Sequence, residues 1–121
     1  MIRLKCDPYP NEIWFTDDRK AYEDKCHARL GGGDWSGHGA GVTSYSHNRR
    51  RMVIGIFDGR LRTVVHELGH ATFNVLDFIG QPVDAEHSEA YCYLQDHLFN
   101  QAYEWLKKKQ RRKEATNAKA E

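Results

Sequence analysis

The sequence has no long hydrophobic run. Nowhere do about 18 apolar residues follow one another, the length that a membrane-spanning helix requires. The first six residues, Met1 to Cys6, also lack the apolar stretch of a signal peptide. We therefore expect no membrane segment and a cytoplasmic location.

Cysteine is scarce as well. The three cysteines, Cys6, Cys26 and Cys92, are an odd number and form no CxxC pair, which argues against a disulfide framework or a thiolate zinc site. The glycine-rich stretch at 31–41 lacks the GxxxxGK(S/T) pattern that binds nucleotide phosphates. No internal repeat is visible, so we expect a single reduced domain.

Charge is unevenly distributed along the 121 residues. The net charge is +1, but residues 107–121 hold seven Lys or Arg and two Glu, so the preceding residues carry a charge of about −4. We predict one domain at 1–106 and a flexible basic tail at 107–121. The tail and Arg49 to Arg51 could contact nucleic acid, but the acidic body argues against it.

The pattern of apolar residues predicts a strand-poor start, a backing helix, a hairpin and two further helices. In chain order we predict a loop at 7–11 with a possible strand at 13–15, a helix capped at 16–18 that ends near Leu30, strands at 41–46 and 52–57 around a turn at 48–50, a helix over 60–78 closed by Gly80, and a helix over about 85–109 capped by Asp84. The glycine-rich loop at 31–41 can lie near a site.

An HExxH motif occupies residues 66–70. On a helix, His66 and His70 are one turn apart on the same face, a spacing suited to one metal ion, with Glu67 beside them. Apolar residues fill the rest of this helix and predict that it is buried in the core: Leu61, Val64, Val65, Leu68, Ala71, Phe73, Val75 and Leu76. The motif predicts one Zn²⁺ held by the two histidines.

A catalytic zinc ion usually has three protein ligands and keeps a fourth position for water. The downstream candidates for the third ligand are Asp77, Asp84, Glu86, His87, Glu89 and His97. Glu89 is favoured because it follows a Gly/Pro turn and lies on a helix that can fold back against the motif helix. Glu86, one turn away, is the alternative ligand or a supporting carboxylate.

With Ser88 to Tyr93 downstream, the motif resembles that of gluzincin metallopeptidases, in which a glutamate on a second helix completes the zinc site. It is similar in detail to small phage-encoded members of that group. The resemblance covers about residues 41–99 and implies an α+β, minimal zincin-like domain with a small antiparallel sheet. If the chain is phage-encoded, its expected location is the cytoplasm of the host cell. In larger members an aspartate at the position of Tyr93 orients one of the zinc histidines by accepting its N–H. In this chain the residue that accepts this hydrogen bond is left open among Tyr93, Asp77 and Glu86.

This resemblance implies peptide-bond hydrolysis. Glu67 is expected to take a proton from zinc-bound water as general base. A donor for the oxyanion is expected among Tyr91, Tyr93, His38 and His47. The polypeptide substrate is expected to add to the edge of the strand at 52–57. The alternative is a zinc-stabilised binding module without catalysis.

Overall fold

The computed structural model describes residues 1–120 as an α+β domain with three helices and a small mixed sheet. The elements are β1 (Ile2–Leu4), β2 (Glu12–Thr16), α1 (Arg19–Arg29), β3 (Gly41–Tyr45), β4 (Arg51–Ile56), α2 (Leu61–Phe78) and α3 (Glu89–Ala120). The predicted fold class is confirmed. None of the helices in residues 1–120 combines the length and the hydrophobicity needed to cross a bilayer.

The sheet has the order β1-β2-β4-β3. β1 and β3 pair antiparallel with their neighbours, whereas β2 and β4 pair in parallel and are connected through α1, the glycine-rich loop and β3. The predicted hairpin of β3 and β4 is confirmed, but the sheet is mixed, not antiparallel. The possible strand at 13–15 is confirmed as part of β2, whereas the strand-poor start was wrong because β1 also precedes α1.

Helices cover both faces of the sheet. On one face, Tyr22 and Cys26 of α1 pack against Val53. On the other, Ile54 belongs to the large core cluster that also contains Leu68 of α2. The apolar run along β4 is therefore buried on both sides, as expected for an inner strand with helices above and below it.

The start of α1 follows from a local signal. Asp18 is its N-cap, and the Asp18 carboxylate accepts a hydrogen bond of 2.8 Å from the Ala21 backbone N–H. The predicted cap and the inward positions of Tyr22 and Cys26 are confirmed. All three cysteines are free, with Cys92 exposed.

Only one face of α2 is buried. Val64, Leu68 and Ala71 are at most 1% exposed, but Val65 and Phe73 are 46% and 51% exposed. The prediction that the motif helix is surrounded by core was therefore wrong. Its end was predicted correctly, because Gly80 adopts a φ of +76° just beyond Phe78.

The last helix begins later and ends later than its pattern predicted. Asp84 does not cap it: its carboxylate accepts hydrogen bonds from the backbone N–H groups of Glu86 and His87 in a preceding turn. The helix continues past residue 109 to Ala120, because residues 107–120 contain neither Gly nor Pro. From Lys108 onward its described side chains are exposed.

Candidate metal centre

The start of α2 is fixed by a turn that precedes it. The Asp58 carboxylate accepts hydrogen bonds from the Arg60 backbone N–H at 3.0 Å and from the Thr63 hydroxyl at 2.7 Å. These hydrogen bonds lower the pKa of Asp58, and the one from the Arg60 backbone has the largest effect. The helix that carries the HExxH motif therefore leaves the sheet in a defined direction.

The two motif histidines converge. His66 Nε2 and His70 Nε2 are 3.2 Å apart, and the rings meet edge to face with centroids 4.9 Å apart. Two nitrogen ligands at about 2.0–2.1 Å from one tetrahedral Zn²⁺ would be separated by about 3.3 Å. The pair therefore fits two ligand positions of a single zinc ion, as the motif predicts.

Glu67 lies beside this pair but is turned toward the sheet. It is only 7% exposed, and its Oε2 is 4.0 Å from His66 Nε2. The Thr43 hydroxyl of β3 lies 3.1 Å from Glu67 Oε1 and 3.0 Å from the Glu67 carbonyl oxygen, and both are acceptors for its single proton. Sequence reasoning missed Thr43, because nothing local indicates that α2 lies above β3.

β3 and α2 approach each other closely at Gly41. A Cβ atom on Gly41 would lie 2.6 Å from Thr63 Cγ2 and 3.1 Å from Glu67 Cγ, too close for any larger residue without a shift. An open cavity of about 290 Å³ lies at this junction and is lined by Ala40, Gly41, Arg62, Thr63, His66 and Glu67. The end of the glycine-rich loop thus borders the site, as predicted.

The edge of the sheet on the side of the HExxH helix belongs to β3, not to β4. β4 is paired on both sides, so the predicted addition of a substrate to the strand at 52–57 was wrong. Backbone bonds from Phe57 to Ala40 and from Ser46 to Arg51 show that the even-numbered residues of β3 face β4. Gly41, Thr43 and Tyr45 therefore direct their backbone N–H and C=O groups outward.

In this structure Glu89, the predicted third ligand, does not group with His66 and His70. Glu89 is the exposed first residue of α3, and no three His, Cys, Asp or Glu side chains within residues 1–120 group in a way that could hold a metal ion. Tyr91 packs on Phe73, with ring centroids 4.9 Å apart. Since Glu89 is two residues earlier, about 200° around the helix, it faces away from that contact. Its role stays a prediction.

The alternative ligands also lie apart from the pair. Asp77 forms an ion pair with Arg49, and His87 Nδ1 lies 2.7 Å from Asp84 Oδ1. Glu86 belongs to the same turn as Asp84, and His97 is exposed.

Cys92 and Asp96 were not among the predicted zinc ligands. They line a cavity of about 280 Å³ together with Val65, the neighbour of His66. Their spacing of three and seven residues from Glu89 on the same helix could have indicated them as candidates.

The candidates for an oxyanion donor are scattered. Tyr91 lies closest to the motif helix, because a Cβ on Gly69 would be 3.3 Å from its hydroxyl oxygen. Burial, then the nearby Cys92, raises the pKa of Tyr91. Tyr93 is 72% exposed. His38 and His47 are exposed, in the glycine-rich loop and the turn between β3 and β4.

Comparisons with protein-family models, with curated proteins and with solved structures give no match for this chain. The resemblance to gluzincins therefore rests on the motif residues alone.

Proposed function

We propose that this protein is a zinc-dependent peptide hydrolase whose ion is held by His66 and His70. Glu89 stays the predicted third ligand, and reaching the ion requires the first turn of α3 to reorient, because Glu89 faces away from the contact between Tyr91 and Phe73. The observation that carries the proposal is the 3.2 Å approach of the two Nε2 atoms beside the Glu67 carboxylate. This separation matches that of two ligands on one zinc ion, and without the ion it allows a hydrogen bond between the two rings. A bound Zn²⁺ would supply Lewis acidity toward a peptide carbonyl and a water.

Glu67 is the proposed general base. Its Oε1 is next to the Thr43 hydroxyl, while Oε2 is on the side of His66. The contact with Thr43 favours one orientation of the carboxylate, and we expect Oε2 to accept a proton from the attacking water and return it to the leaving amine. Tyr91 and Tyr93 are the proposed hydroxyl donors on α3, of which Tyr91 lies nearer to the motif helix.

The free backbone groups on the outer edge of β3 are an argument for a polypeptide as the substrate. The backbone groups of Gly41, Thr43 and Tyr45 point outward, and an extended peptide can pair with them as an added strand. The Thr43 side chain of the same strand contacts Glu67. A peptide on this edge would therefore have its backbone beside the carboxylate and the histidines. The three free cysteines support action in a reducing compartment such as the cytoplasm.

The proposal is tested by measuring zinc content and peptide cleavage on the same samples. Wild-type protein should bind one zinc ion and cleave members of a peptide library, detected by mass spectrometry. Glu67→Gln should keep the zinc and lose turnover, because an amide cannot accept the proton. His66→Ala should lose the zinc, and His27→Ala, at an exposed histidine in the last turn of α1, should lose neither.

Two results would reject the hydrolase. Cleavage by Glu67→Gln at the wild-type rate would show that another group is the base. Zinc binding without turnover on any library peptide would instead favour a zinc-stabilised binding module.

A further inference from the structure

A cavity about twice the volume of the one beside the histidines lies elsewhere in the fold. It has a volume of about 630 Å³ and lies between the C-terminal half of α3, the end of β4 and the start of α2. We name it the α3 groove. Its size is within the range of sites that bind small ligands or a few residues of a peptide, about 300–1,000 Å³.

The floor of the α3 groove is apolar. It contains Ile56, Leu61, Tyr103 and Leu106. Ile56 is buried, whereas Leu61 is 49% exposed although it begins the helix that carries the HExxH motif. Together with the partly buried Tyr103 and Leu106, Leu61 gives the groove an apolar floor that an apolar group of a partner can cover.

The walls of the α3 groove are cationic. Lys107, Lys109, Arg111 and Lys113 line it, and Asp17 is the single acidic residue in the lining. Asp17 is already paired with Lys109. Within residues 1–120, the Arg111 and Lys113 side chains form neither a hydrogen bond nor an ion pair. The groove therefore carries an excess of positive charge that attracts an anionic partner.

We propose that the α3 groove binds an acidic polypeptide segment, which places an aliphatic side chain on the floor and carboxylates against the walls. This inference does not depend on the proposed hydrolase activity.

The lining favours a polypeptide over single-stranded nucleic acid. Tyr103 is the only aromatic residue in the groove. Its ring stacks with Phe99 at a centroid distance of 5.7 Å, and Lys107 Nζ lies 5.0 Å from the ring centroid. Both contacts are made to the Tyr103 ring, and the lining has no second aromatic residue on which successive bases could stack.

Fluorescence anisotropy of labelled peptides tests the proposal on the full chain. The probe is a fluorescein-labelled peptide of about 12 residues composed of Glu and Leu, which in an extended conformation reaches past both ends of the groove. A second peptide has Ser in place of Leu, and an oligothymidylate serves as the nucleic acid.

The test variant is Arg111→Glu with Lys113→Glu. The matched control is Lys108→Glu with Arg112→Glu, which makes the same charge change on the same helix outside the lining.

The Glu/Leu peptide should bind the wild-type protein, with an affinity that falls as salt rises. The test variant should weaken it about tenfold and the control by about twofold. Leu61→Ser and the Ser peptide should each weaken binding about fivefold, because the apolar contact is lost.

Equal losses in the two double variants would overturn the groove in favour of a diffuse charge effect. Tighter binding of the oligothymidylate than of the peptide, or no peptide binding, would also overturn the proposal. Since none of these measurements involves zinc or turnover, their outcome is separate from that of the proposed hydrolase.

Discussion

The Thr43 hydroxyl on β3 and the Glu67 carboxylate on α2 are 3.1 Å apart, which links the edge strand of the sheet to the HExxH helix. Glu67 is 7% exposed, so few waters can replace this contact. The hydroxyl holds the side chain that the proposed reaction uses as its base, and Thr43 is therefore a positioning residue.

Replacing Thr43 by Val removes the hydroxyl and keeps the shape of the side chain. A hydrogen bond to a charged group contributes about 1.5–3 kcal/mol, so kcat should fall at least about tenfold. KM should change little, because the backbone of β3 is unaltered. Thr43→Ser should recover most of the rate.

Ser44→Ala is the matched control for Thr43→Val. Ser44 is the next residue on β3, but its hydroxyl faces α1 and pairs with the Tyr22 hydroxyl. This variant should leave kcat unchanged. A rate for Thr43→Val equal to that of the wild type would remove Thr43 from the account.

The contact between β3 and α2 at Gly41 gives a stability prediction. A Cβ on Gly41 would lie 2.6 Å from Thr63 Cγ2 and 3.1 Å from the Gly55 carbonyl oxygen. Gly41→Ala should therefore lower the free energy of unfolding by about 1–3 kcal/mol, measured by urea denaturation. Gly32→Ala is the control, since its Cβ would meet nothing within 4 Å. Equal stabilities for both variants would contradict the close packing.

The ion pair between Glu12 and Arg29 gives a pH prediction. Two hydrogen bonds of 2.7 and 2.6 Å from Arg29, helped by one from Trp14, lower the pKa of Glu12 to about 2. Because the folded-state pKa is below the unfolded one, this stabilisation is complete above the unfolded pKa. It is lost as the pH falls from about 4.5 to about 2.

Glu12→Gln should remove this acid-sensitive part of the stability. The wild type should lose on the order of 2 kcal/mol more than the variant over that pH range, measured by urea denaturation at each pH. Lys20→Gln breaks the exposed Lys20–Asp24 pair and is the control. Parallel curves for wild type and Glu12→Gln would contradict the assignment.

Zinc affinity decides the third ligand. Glu89→Gln should weaken zinc binding by about 100-fold, since losing even a supporting group around a zinc ion costs about 10–100-fold. Glu86→Gln should have a small effect. Both are measured by competition with a chromophoric chelator.

Asp96→Asn belongs in the same zinc titration, because Asp96 lines the cavity beside Val65. A loss of affinity for Glu86→Gln or Asp96→Asn, with Glu89→Gln unchanged, would assign the ligand to that other carboxylate.

Local signals in the sequence predicted the parts of the fold that depend on neighbouring residues. The Asp18 cap and the Gly80 end are each set within one helical turn. The spacing of His66 and His70 likewise determines that their side chains share a face. These features needed no knowledge of which elements meet.

Contacts between distant segments could not be predicted in this way. An apolar run such as Met52–Ile56 indicates a buried strand, but it does not say that β2 pairs with it in parallel. Thr43 looks like an ordinary polar strand residue until α2 is placed above it. Asp84 illustrates a different ambiguity, because its side chain can serve a turn as well as a helix cap.

The central claim is that His66 and His70 hold one ion within reach of Glu67. A crystal structure of the protein soaked with zinc tests it most directly. We predict one zinc ion bound by both Nε2 atoms, with a water in its coordination sphere that Glu67 can reach. An ion bound elsewhere, or one whose ligand positions are all filled by protein atoms, would contradict the claim.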